Sequence, residues 1–317
     1  MNHNESFTTE EIADILKVSK LTVYDLIKKG EIKAFRVGRQ MRIDAVDLEN
    51  FKNNAKEILV HPKEKLKTHT DTDNTSKTHQ PVSNHRSIII SGQDSSLDIL
   101  AKHFELKGNT YRPLRSYIGS LNGLLAMYKG EADIVSTHLF DGDTNTYNIP
   151  YIRKLFVSHS FIVMRYITRQ AGLYIENGNP KNINGWSDLQ RHDIKMINRE
   201  IGSGARILLD EQLRLHRIKK ENVNGYNHEC TSHYSVAAGI SQGKADIGVG
   251  IERTSQSAGI DFIPMIKERY DLVILNSDKN KELIQLIKEL LTSNELKNEL
   301  KAIGYDVEET GKIIHEQ

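Results

Sequence analysis

The hydrophobic pattern divides the chain into two structured parts that are separated by a polar stretch. In the first fifty residues apolar positions recur at helical spacing, and Ile12, Ile15 and Leu16 form the inner face of a first predicted helix. A stretch dominated by Thr, His, Lys, Asp, Asn and Ser follows, and such a composition cannot bury enough surface to order itself. The predicted parts are a domain over residues 1–54, a flexible polar linker over 55–86 and a second domain over 87–317.

Strand-like and helix-like runs alternate through the second domain. Residues 87–91 form a short β-branched run, and residues 97–104 have helical spacing. This alternation indicates an α/β fold with largely parallel strands. Residues 124–135 and 236–247 also echo each other, since both combine an apolar helix, a glycine cap and Ala-Asp-Ile entering a strand. Two similar lobes would produce this echo, and so would chance similarity between common units.

Composition narrows the possible classes of protein. A net charge of +1 over 317 residues argues against a general polyanion binder, so any nucleic-acid surface must be local. A single cysteine, Cys230, excludes an intramolecular disulfide framework and fits a reducing compartment. The N-terminus has no apolar signal core, and no segment approaches the ~18 apolar residues of a membrane span. We therefore expect a cytoplasmic protein that does not associate with membranes.

The first domain has the pattern of a winged helix-turn-helix. Thr8 and Glu11 are spaced as a capping box for the first helix, and Ser19 is placed to cap a second. Residues 35–43 look like a hairpin, and Asp44 can cap a third helix. Two short helices at a tight turn, followed by a hairpin, are typical of this DNA-binding fold.

Positive charge is concentrated in the same region. Between Lys17 and Arg42 there are eight basic residues and two acidic ones, so the local charge is +6 in a nearly neutral chain. Such a cluster is the electrostatic footprint of phosphate contacts. A solvated basic face on a protein-binding module is the alternative.

Residues 7–53 closely resemble the excisionase-type helix-turn-helix family, on the runs 7–13, 18–24 and 33–43. The resemblance implies that the second helix enters the major groove and that the wing holds the neighbouring backbone. The residues that it places on DNA are Ser19, Lys20, Thr22, Tyr24, Lys28, Arg36, Arg39 and Arg42.

Five loops of the second domain place hydroxyls, glycines or a cation at the predicted ends of strands. In open α/β sheets, ligands bind beyond the carboxyl ends of strands. Hydroxyls and helix N-terminal N–H groups can together cage a tetrahedral oxyanion. Taken singly, the serines and glycines of each loop are also explained by helix capping. Arg199 could instead form an ion pair, and Arg206 could have a structural role. The loops are residues 91–95, 118–121, 136–138, 199–206 and 231–235.

These loops, with motifs at 130–134 and 268–272, resemble the molybdate/tungstate-type periplasmic-binding-protein domain. The resemblance covers about 87–317 and implies a two-lobed α/β (Venus flytrap) fold, with the ligand in the cleft between the lobes. Lobe 1 would hold about 87–160 and 262–317, and lobe 2 about 161–261. The implied ligand-binding residues are Ser91, Asp94, Ser120, Thr137, Arg199, Ser203, Gly204, Thr231, Ser232 and His233.

Two positions depart from the family pattern. Gln93 stands where relatives often have cysteine, and Ala205 stands where a related pattern supplies a hydroxyl. A lost hydrogen bond is worth ~1 kcal/mol net, and more to a charged acceptor. The sequence therefore leaves the identity of the ligand undecided. The resemblance favours molybdate or tungstate, and the alternatives are another small anion or an organic ligand.

Together these features predict a ligand-responsive DNA-binding transcriptional regulator rather than an enzyme. We expect no cofactor, and the expected partners are a double-stranded DNA operator, a small oxyanion and further copies of the chain in a dimer or higher oligomer. Cys230 and His233 have a spacing that metal ligands can adopt, but no second close pair accompanies them, so we predict no metal site. The alternatives are an architectural excisionase-like DNA binder and an enzyme of cofactor biosynthesis.

Overall fold

A computed structural model describes two compact units of the chain, residues 1–78 and 79–317. The residues that the structure describes are 6–16, 18–28, 32–37, 40–48, 51, 85–107 and 110–317. The predicted linker lies outside the described residues up to position 84.

The first unit contains β1 (Ser6–Thr8), α1 (Thr9–Leu16), α2 (Lys20–Lys28), β2 (Phe35–Val37), β3 (Gln40–Asp44) and α3, which is helical at residues 45–48 and 51. The strands of the second unit are β4 (Arg86–Ser91), β5 (Tyr111–Ser116), β6 (Ile134–Thr137), β7 (Phe140–Asp141), β8 (Thr146–Tyr147), β9 (Phe161–Ile175), β10 (Met196–Arg199), β11 (Glu229–Cys230), β12 (Ile247–Ile251), β13 (Asp261–Leu275) and β14 (Ile313–Glu316). Its helices are α4 (Ser96–Lys107), α5 (Ser120–Tyr128), α6 (Ile149–Leu155), α7 (Gly204–Leu215), α8 (His233–Ser241), α9 (Glu252–Ala258), α10 (Lys281–Thr292) and α11 (Asn294–Ala302).

The first unit confirms the predicted winged helix-turn-helix. Its antiparallel sheet has the order β1-β3-β2. Thr8 and Glu11 form the predicted capping box, in which the Thr8 N–H donates to Glu11 Oε2 at 2.7 Å and the Glu11 N–H donates to Thr8 Oγ1 at 3.3 Å. Ser19 Oγ accepts the Thr22 N–H at 3.1 Å at the start of α2. Local polar residues thus fix where both helices begin.

The core of this unit differs from the prediction at one position. Ile12 and Val23 are fully buried, as expected for inward-facing residues. Ile15, which was predicted on the inner face, is 37 % exposed, and Ala13 is buried instead. The apolar stripe of α1 is centred on Ile12, Ala13 and Leu16, so Ile15 lies at its edge.

The second unit is built on one large sheet that runs through two lobes. Its strand order is β11-β10-β12-β9-β13-β6-β4-β5, and β14 also pairs with β9. The central strands β9 and β13 have 15 residues each and pair with each other along most of their length. The shorter strand β12 pairs with one end of β9, and β6 pairs with the opposite end of β13. The long strands therefore cross between the lobes, and the predicted two-lobed α/β fold is confirmed.

Each lobe repeats the same helix–glycine–strand unit. In lobe 1 α5 is followed by Gly130, with φ +78°, and by Asp133 before β6. In lobe 2 α8 is followed by Gly243, with φ +66°, and by Asp246 before β12. Each aspartate accepts a backbone hydrogen bond from the neighbouring part of the sheet, at 2.9 and 2.7 Å. The internal echo in the sequence thus corresponds to equivalent units of the two lobes.

Separate apolar cores stabilise the lobes. Leu100, Leu272 and Ile287 belong to a fully buried cluster in lobe 1, and Leu173 and Leu208 to one in lobe 2. Among the described residues, no helix combines the length and the apolar character needed to cross a membrane.

The crossing strands approach each other closely at Gly172. A Cβ atom there would lie 2.1 Å from the carbonyl oxygen of Ile263 in β13, whereas a Cβ on Gly185 would meet nothing nearer than Met265 at 3.6 Å. We expect Gly172→Ala to lower the free energy of unfolding by about 1–3 kcal/mol, because a rigid backbone atom blocks the added methyl group. Gly185→Ala, the matched control, should change it by less than about 0.5 kcal/mol. Urea denaturation measures both variants, and equal effects would contradict this account.

Candidate functional site

All five predicted loops lie at the carboxyl ends of strands. They follow β4, β5 and β6 in lobe 1 and β10 and β11 in lobe 2. Four of them lead directly into helices, namely α4, α5, α7 and α8. The first N–H groups of a helix have no partner within that helix, and they form the positive end of its dipole. Four such helix starts, two from each lobe, therefore border the cleft between the lobes.

A small cavity of about 20 Å³ lies in this cleft. Asp94, Ser120 and His233, all predicted from the sequence, line it. A cavity of this size holds little more than one water molecule. The other residues of its lining come from the same loops and from the crossing strands, and they are Gly92, Gln93, Ile118, Gly119, Ser136, His138, Arg169 and Tyr270.

Hydrogen bonds join the two lobes around the cavity. The Leu121 N–H of lobe 1 donates to the carbonyl oxygen of Gly202 in lobe 2 at 3.1 Å. Gln93 Nε2 of lobe 1 donates to Glu200 Oε1 of lobe 2 at 2.7 Å. The structure is therefore that of a closed cleft.

Glycines make this close approach possible. A Cβ on Gly119 would lie 2.7 Å from the Gly202 carbonyl oxygen across the cleft. A Cβ on Gly204 would lie 2.4 Å from the ring of His138 in lobe 1. Gly204, predicted as a ligand-binding position, thus contacts the wall of the cavity rather than its interior.

A buried network of charged groups joins the crossing strands to lobe 1. Arg169 of β9 donates to Asp94 and to Glu268 of β13, and His138 Nδ1 lies 2.7 Å from Glu268 Oε1. Burial alone would raise the pKa of Glu268, but Arg169 and His138 outweigh it and hold this pKa well below its usual range. Burial would likewise raise the pKa of Asp94, and Arg169, with hydrogen bonds from Ser96, lowers it.

This network leaves little positive charge for a ligand. Two carboxylates share one guanidinium, which also lies over the Tyr270 ring at 4.5 Å. Arg169 Nη2 has no hydrogen-bond partner among the described residues. Ser120 Oγ accepts the His138 N–H at 3.3 Å, which leaves the serine proton free to donate. An anion here would therefore be held by hydroxyl and backbone donors and by one nitrogen of Arg169.

Arg199, the cation preferred from the sequence, lies outside the lining of this cavity. Its guanidinium donates to Glu200 Oε2 and Oε1, both at 2.9 Å, and to Gln93 Oε1 at 2.6 Å. It is 2 % exposed. The ion pair with Glu200, which is the alternative interpretation of this residue, is thus present, with Arg199 buried and Glu200 half-buried. Arg206 is also engaged, since its Nη1 donates to Glu229 at 2.9 Å and its guanidinium lies 4.2 Å from the Tyr226 ring centroid.

Two further predicted residues are buried in the wall on the lobe 1 side. Ser91 Oγ is fully buried, has no hydrogen-bond partner in the described part of the chain and lies beside Gly123 of α5. Thr137 Oγ1 donates to Asn148 Oδ1 at 3.3 Å. Neither side chain lines the cavity in the closed structure.

The remaining predicted residues of lobe 2 shape its helix starts. Ser203 Oγ accepts the Arg206 N–H at 3.3 Å and caps α7, and Ser232 Oγ accepts the Ser235 N–H at 3.0 Å and caps α8. The Thr231 carbonyl oxygen accepts a hydrogen bond from Arg199. These residues fix the loops around the cavity, and the hydroxyls of Ser203 and Ser232 are already engaged.

Sequence reasoning did not assign Arg169, Glu268 or Tyr270 to the site, although the motif at 268–272 contains the last two. All three lie in the middle of the long crossing strands and not in loops. A signal was available, because Arg169 and Glu268 are charged residues inside largely apolar strands of 15 residues. Charged residues in such strands are rarely buried without a partner.

The predicted DNA-contacting residues are largely exposed on the first unit. Ser19, Lys20, Thr22 and Tyr24 are all exposed at the start of α2. Lys20 forms an ion pair with Glu10, and the Tyr24 hydroxyl lies 3.5 Å from Thr9 Oγ1.

The wing is described in part. Arg36 is exposed on β2, and Arg42 Nη1 donates to the Ser6 carbonyl oxygen at 3.4 Å. Arg39 and the side chain of Lys28 lie outside the described residues.

Comparison with known proteins identifies both units. The model of the PBP superfamily domain matches residues 101–292, which is more than half of the chain. The chain belongs to this PBP family. A helix-turn-helix domain model matches residues 6–56. The chain is 46 % identical over 317 residues to the uncharacterized protein YvgK of Bacillus subtilis (strain 168). The match covers the full length of both proteins.

Solved structures support the PBP-type fold. A phosphate-transporter-type substrate-binding protein from Clostridium perfringens, with bound phosphate, has a TM-score of 0.51 at 15 % identity and covers 70 % of this chain and 99 % of that one. The sulfate-binding protein SubI from Mycobacterium tuberculosis H37Rv has a TM-score of 0.51 at 14 % identity and covers 70 % of this chain and 86 % of that one. At these identities the likeness concerns the fold.

His233 should make the stability of the PBP unit depend on pH. Burial, with Arg199 and Arg169 nearby, lowers the pKa of His233 well below 6.5. The unfolded chain takes up this proton near pH 6.5 and the folded chain does not, so stability is lost as the pH falls below 6.5. We expect His233→Gln to reduce that loss by up to about 1.4 kcal/mol per pH unit. Urea denaturation from about pH 7.5 to about pH 5.5 measures it, with exposed His192→Gln as the control. Parallel curves for wild type and His233→Gln would refute the role of His233.

Proposed function

We propose that this PBP-family chain is a DNA-binding transcriptional regulator that senses a small oxyanion in the cleft between its lobes. The observation that carries this proposal is that the loops leading into α4, α5 and α8, from both lobes, line one small polar cavity, with the start of α7 packed against its wall. Oriented N–H groups at helix starts attract anions without any formal positive charge. The helix-turn-helix unit supplies the DNA-binding function.

The size of the cavity favours an ion of a few atoms over an organic ligand. The cavity that Ser120 lines encloses about 20 Å³, so even a tetrahedral oxyanion requires a small opening of the lobes there. A second cavity of about 90 Å³ lies beside it, with Gln93, Arg199 and Ser232 in its lining, and it is also small for an organic ligand. Proteins of similar fold include one with bound phosphate and one that is sulfate-binding, which supports this ligand class. Molybdate and tungstate are our first candidates within it, followed by phosphate and sulfate.

We propose that closure of the lobes couples ligand binding to DNA binding. A ligand that touches both lobes stabilises the closed arrangement by its differential affinity for that state. We propose that copies of the chain assemble as a dimer or higher oligomer, so that closure alters the spacing of two DNA-binding units on an operator. Because its target is chromosomal DNA, the proposed regulator acts in the cytoplasm.

Ser120→Ala tests the oxyanion site. This change removes a hydroxyl that lines the cavity and has a proton free to donate. We expect it to weaken binding of molybdate, tungstate, phosphate or sulfate at least ~10-fold, because a hydrogen bond to a charged group is worth about 1.5–3 kcal/mol. Isothermal titration calorimetry measures the affinity, and thermal unfolding with saturating anion provides a second readout.

The matched control is Ser158→Ala, an exposed serine of the same unit. It should leave anion affinity unchanged. Absence of binding of all four anions to the wild-type chain would overturn the oxyanion proposal. Binding that Ser120→Ala leaves unaffected would place the anion elsewhere.

Arg36→Ala tests the DNA-binding surface. Arg36 is exposed on β2, and we expect its removal to weaken binding to operator DNA and to reduce the slope of log affinity against log salt by about 1. Fluorescence anisotropy at several salt concentrations measures this slope on a fragment selected from genomic DNA. Lys129→Ala, an exposed cation of the sensor unit, is the control and should keep the wild-type slope. An unchanged slope for Arg36→Ala would remove β2 from the proposed interface.

A further inference from the structure

We propose a second binding site in the PBP unit, for an organic anion, behind the crossing strands. A cavity of about 790 Å³ lies there, between α6, the β7–β8 hairpin, the crossing strands and the segment before β14. The cavity in the cleft encloses only about 20 Å³. Pockets for organic ligands usually measure about 300–1,000 Å³, so the rear cavity has the size that the cleft cavity lacks.

The two cavities lie on opposite faces of β13. Successive side chains of a strand point to opposite faces of its sheet. Glu268 and Tyr270 belong to the cleft network, whereas Lys267 and Arg269 line the rear cavity. The rear cavity is therefore a separate site and not an extension of the cleft.

Positive charge predominates in the rear cavity. Its lining contains five cationic side chains and two carboxylates, which gives a formal charge of +3. The carboxylates are Asp271 and Glu309, and the cations are Arg153, Arg165, Lys267, Arg269 and Lys312.

Two of these cations have a carboxylate of their own, since Arg165 lies 2.8 Å from Asp271 and Lys267 lies 2.8 Å from Asp306. The remaining positive charge is on Arg153 and on the cations that share Glu309. Glu309 is shared by Arg269 at 2.6 Å, Lys312 at 3.0 Å and Arg165 at 3.6 Å. Arg153 is exposed and has no ion pair among the described residues. A ligand carboxylate or phosphate would supply the missing partner, and planar guanidinium groups bind both in a bidentate manner.

The rest of the lining is apolar, which indicates that the ligand has an apolar part in addition to its anionic group. Ile149, Pro150, Ile266 and Ile314 line the same cavity, together with the ring of Tyr147. An inorganic ion would leave these groups and most of the volume in contact with water. The ligand class is therefore an organic phosphate or carboxylate with an apolar body.

Calorimetry of the full chain with 1-naphthyl phosphate tests the site. This probe combines a phosphate with an apolar body, and inorganic phosphate and 1-naphthol each supply one half of it. We expect 1-naphthyl phosphate to bind at least ~10-fold more tightly than 1-naphthol, because it uses both parts of the lining. No binding of 1-naphthyl phosphate, or binding no tighter than that of 1-naphthol, would overturn the proposal.

Substitutions locate the bound probe. The double variant Arg153→Gln/Lys312→Gln changes two exposed cations and should weaken binding of 1-naphthyl phosphate at least ~10-fold. Arg153→Glu should weaken it further, by repelling the phosphate. The control Arg112→Gln/Lys219→Gln alters net charge equally at exposed positions outside this lining and should leave binding unchanged.

Ser120→Ala distinguishes the rear cavity from the cleft. It should leave the affinity for 1-naphthyl phosphate unchanged, even though we expect it to weaken inorganic oxyanion binding. If Ser120→Ala abolished 1-naphthyl phosphate binding and Arg153→Gln/Lys312→Gln did not, the probe would occupy the cleft and the rear site would be refuted. Failure of the oxyanions to bind would leave this test intact, since it uses different residues.

Discussion

The guanidinium of Arg169 lies between the carboxylates of Asp94 and Glu268 and links a loop of lobe 1 to both crossing strands. All three side chains are almost completely buried. Removing one member of such a network leaves the other charged groups buried without a partner. This usually lowers the free energy of unfolding by about 3–5 kcal/mol. The geometry of the cavity and the alignment of the crossing strands with lobe 1 therefore depend on the same three groups.

Gln93 gives the closed cleft a second point of attachment. Its amide oxygen accepts from Arg199 at 2.6 Å while its amide nitrogen donates to Glu200 at 2.7 Å, so one side chain satisfies both members of an ion pair in the opposite lobe. A cysteine, which the family resemblance would favour here, has no comparable pair of donor and acceptor groups. The departure from the family pattern thus coincides with a contact that holds the lobes together, and it changes the role of Arg199 from a free cation to a component of that contact.

Local features of this fold could be predicted from the sequence, and the decisive long-range contacts could not. The capping box of Thr8 and Glu11 and the position of the loop before α7 follow from residues that are close together in the chain. Arg169 instead meets Asp94 and Glu268 across 75 and 99 residues. The same limit applies to Arg199, since sequence places it in the right turn but does not show that Gln93, 106 residues away, occupies its guanidinium.

Adjacent residues of strand β13 belong to the cleft network and to the rear cavity. Glu268 is fixed by the cleft network, and its neighbours Lys267 and Arg269 line the rear cavity. A strand in a closely packed sheet cannot move one residue without moving the next. Any movement of Glu268 would therefore be transmitted to the rear cations Lys267 and Arg269. Occupants of the two cavities would therefore act on adjacent residues of one strand.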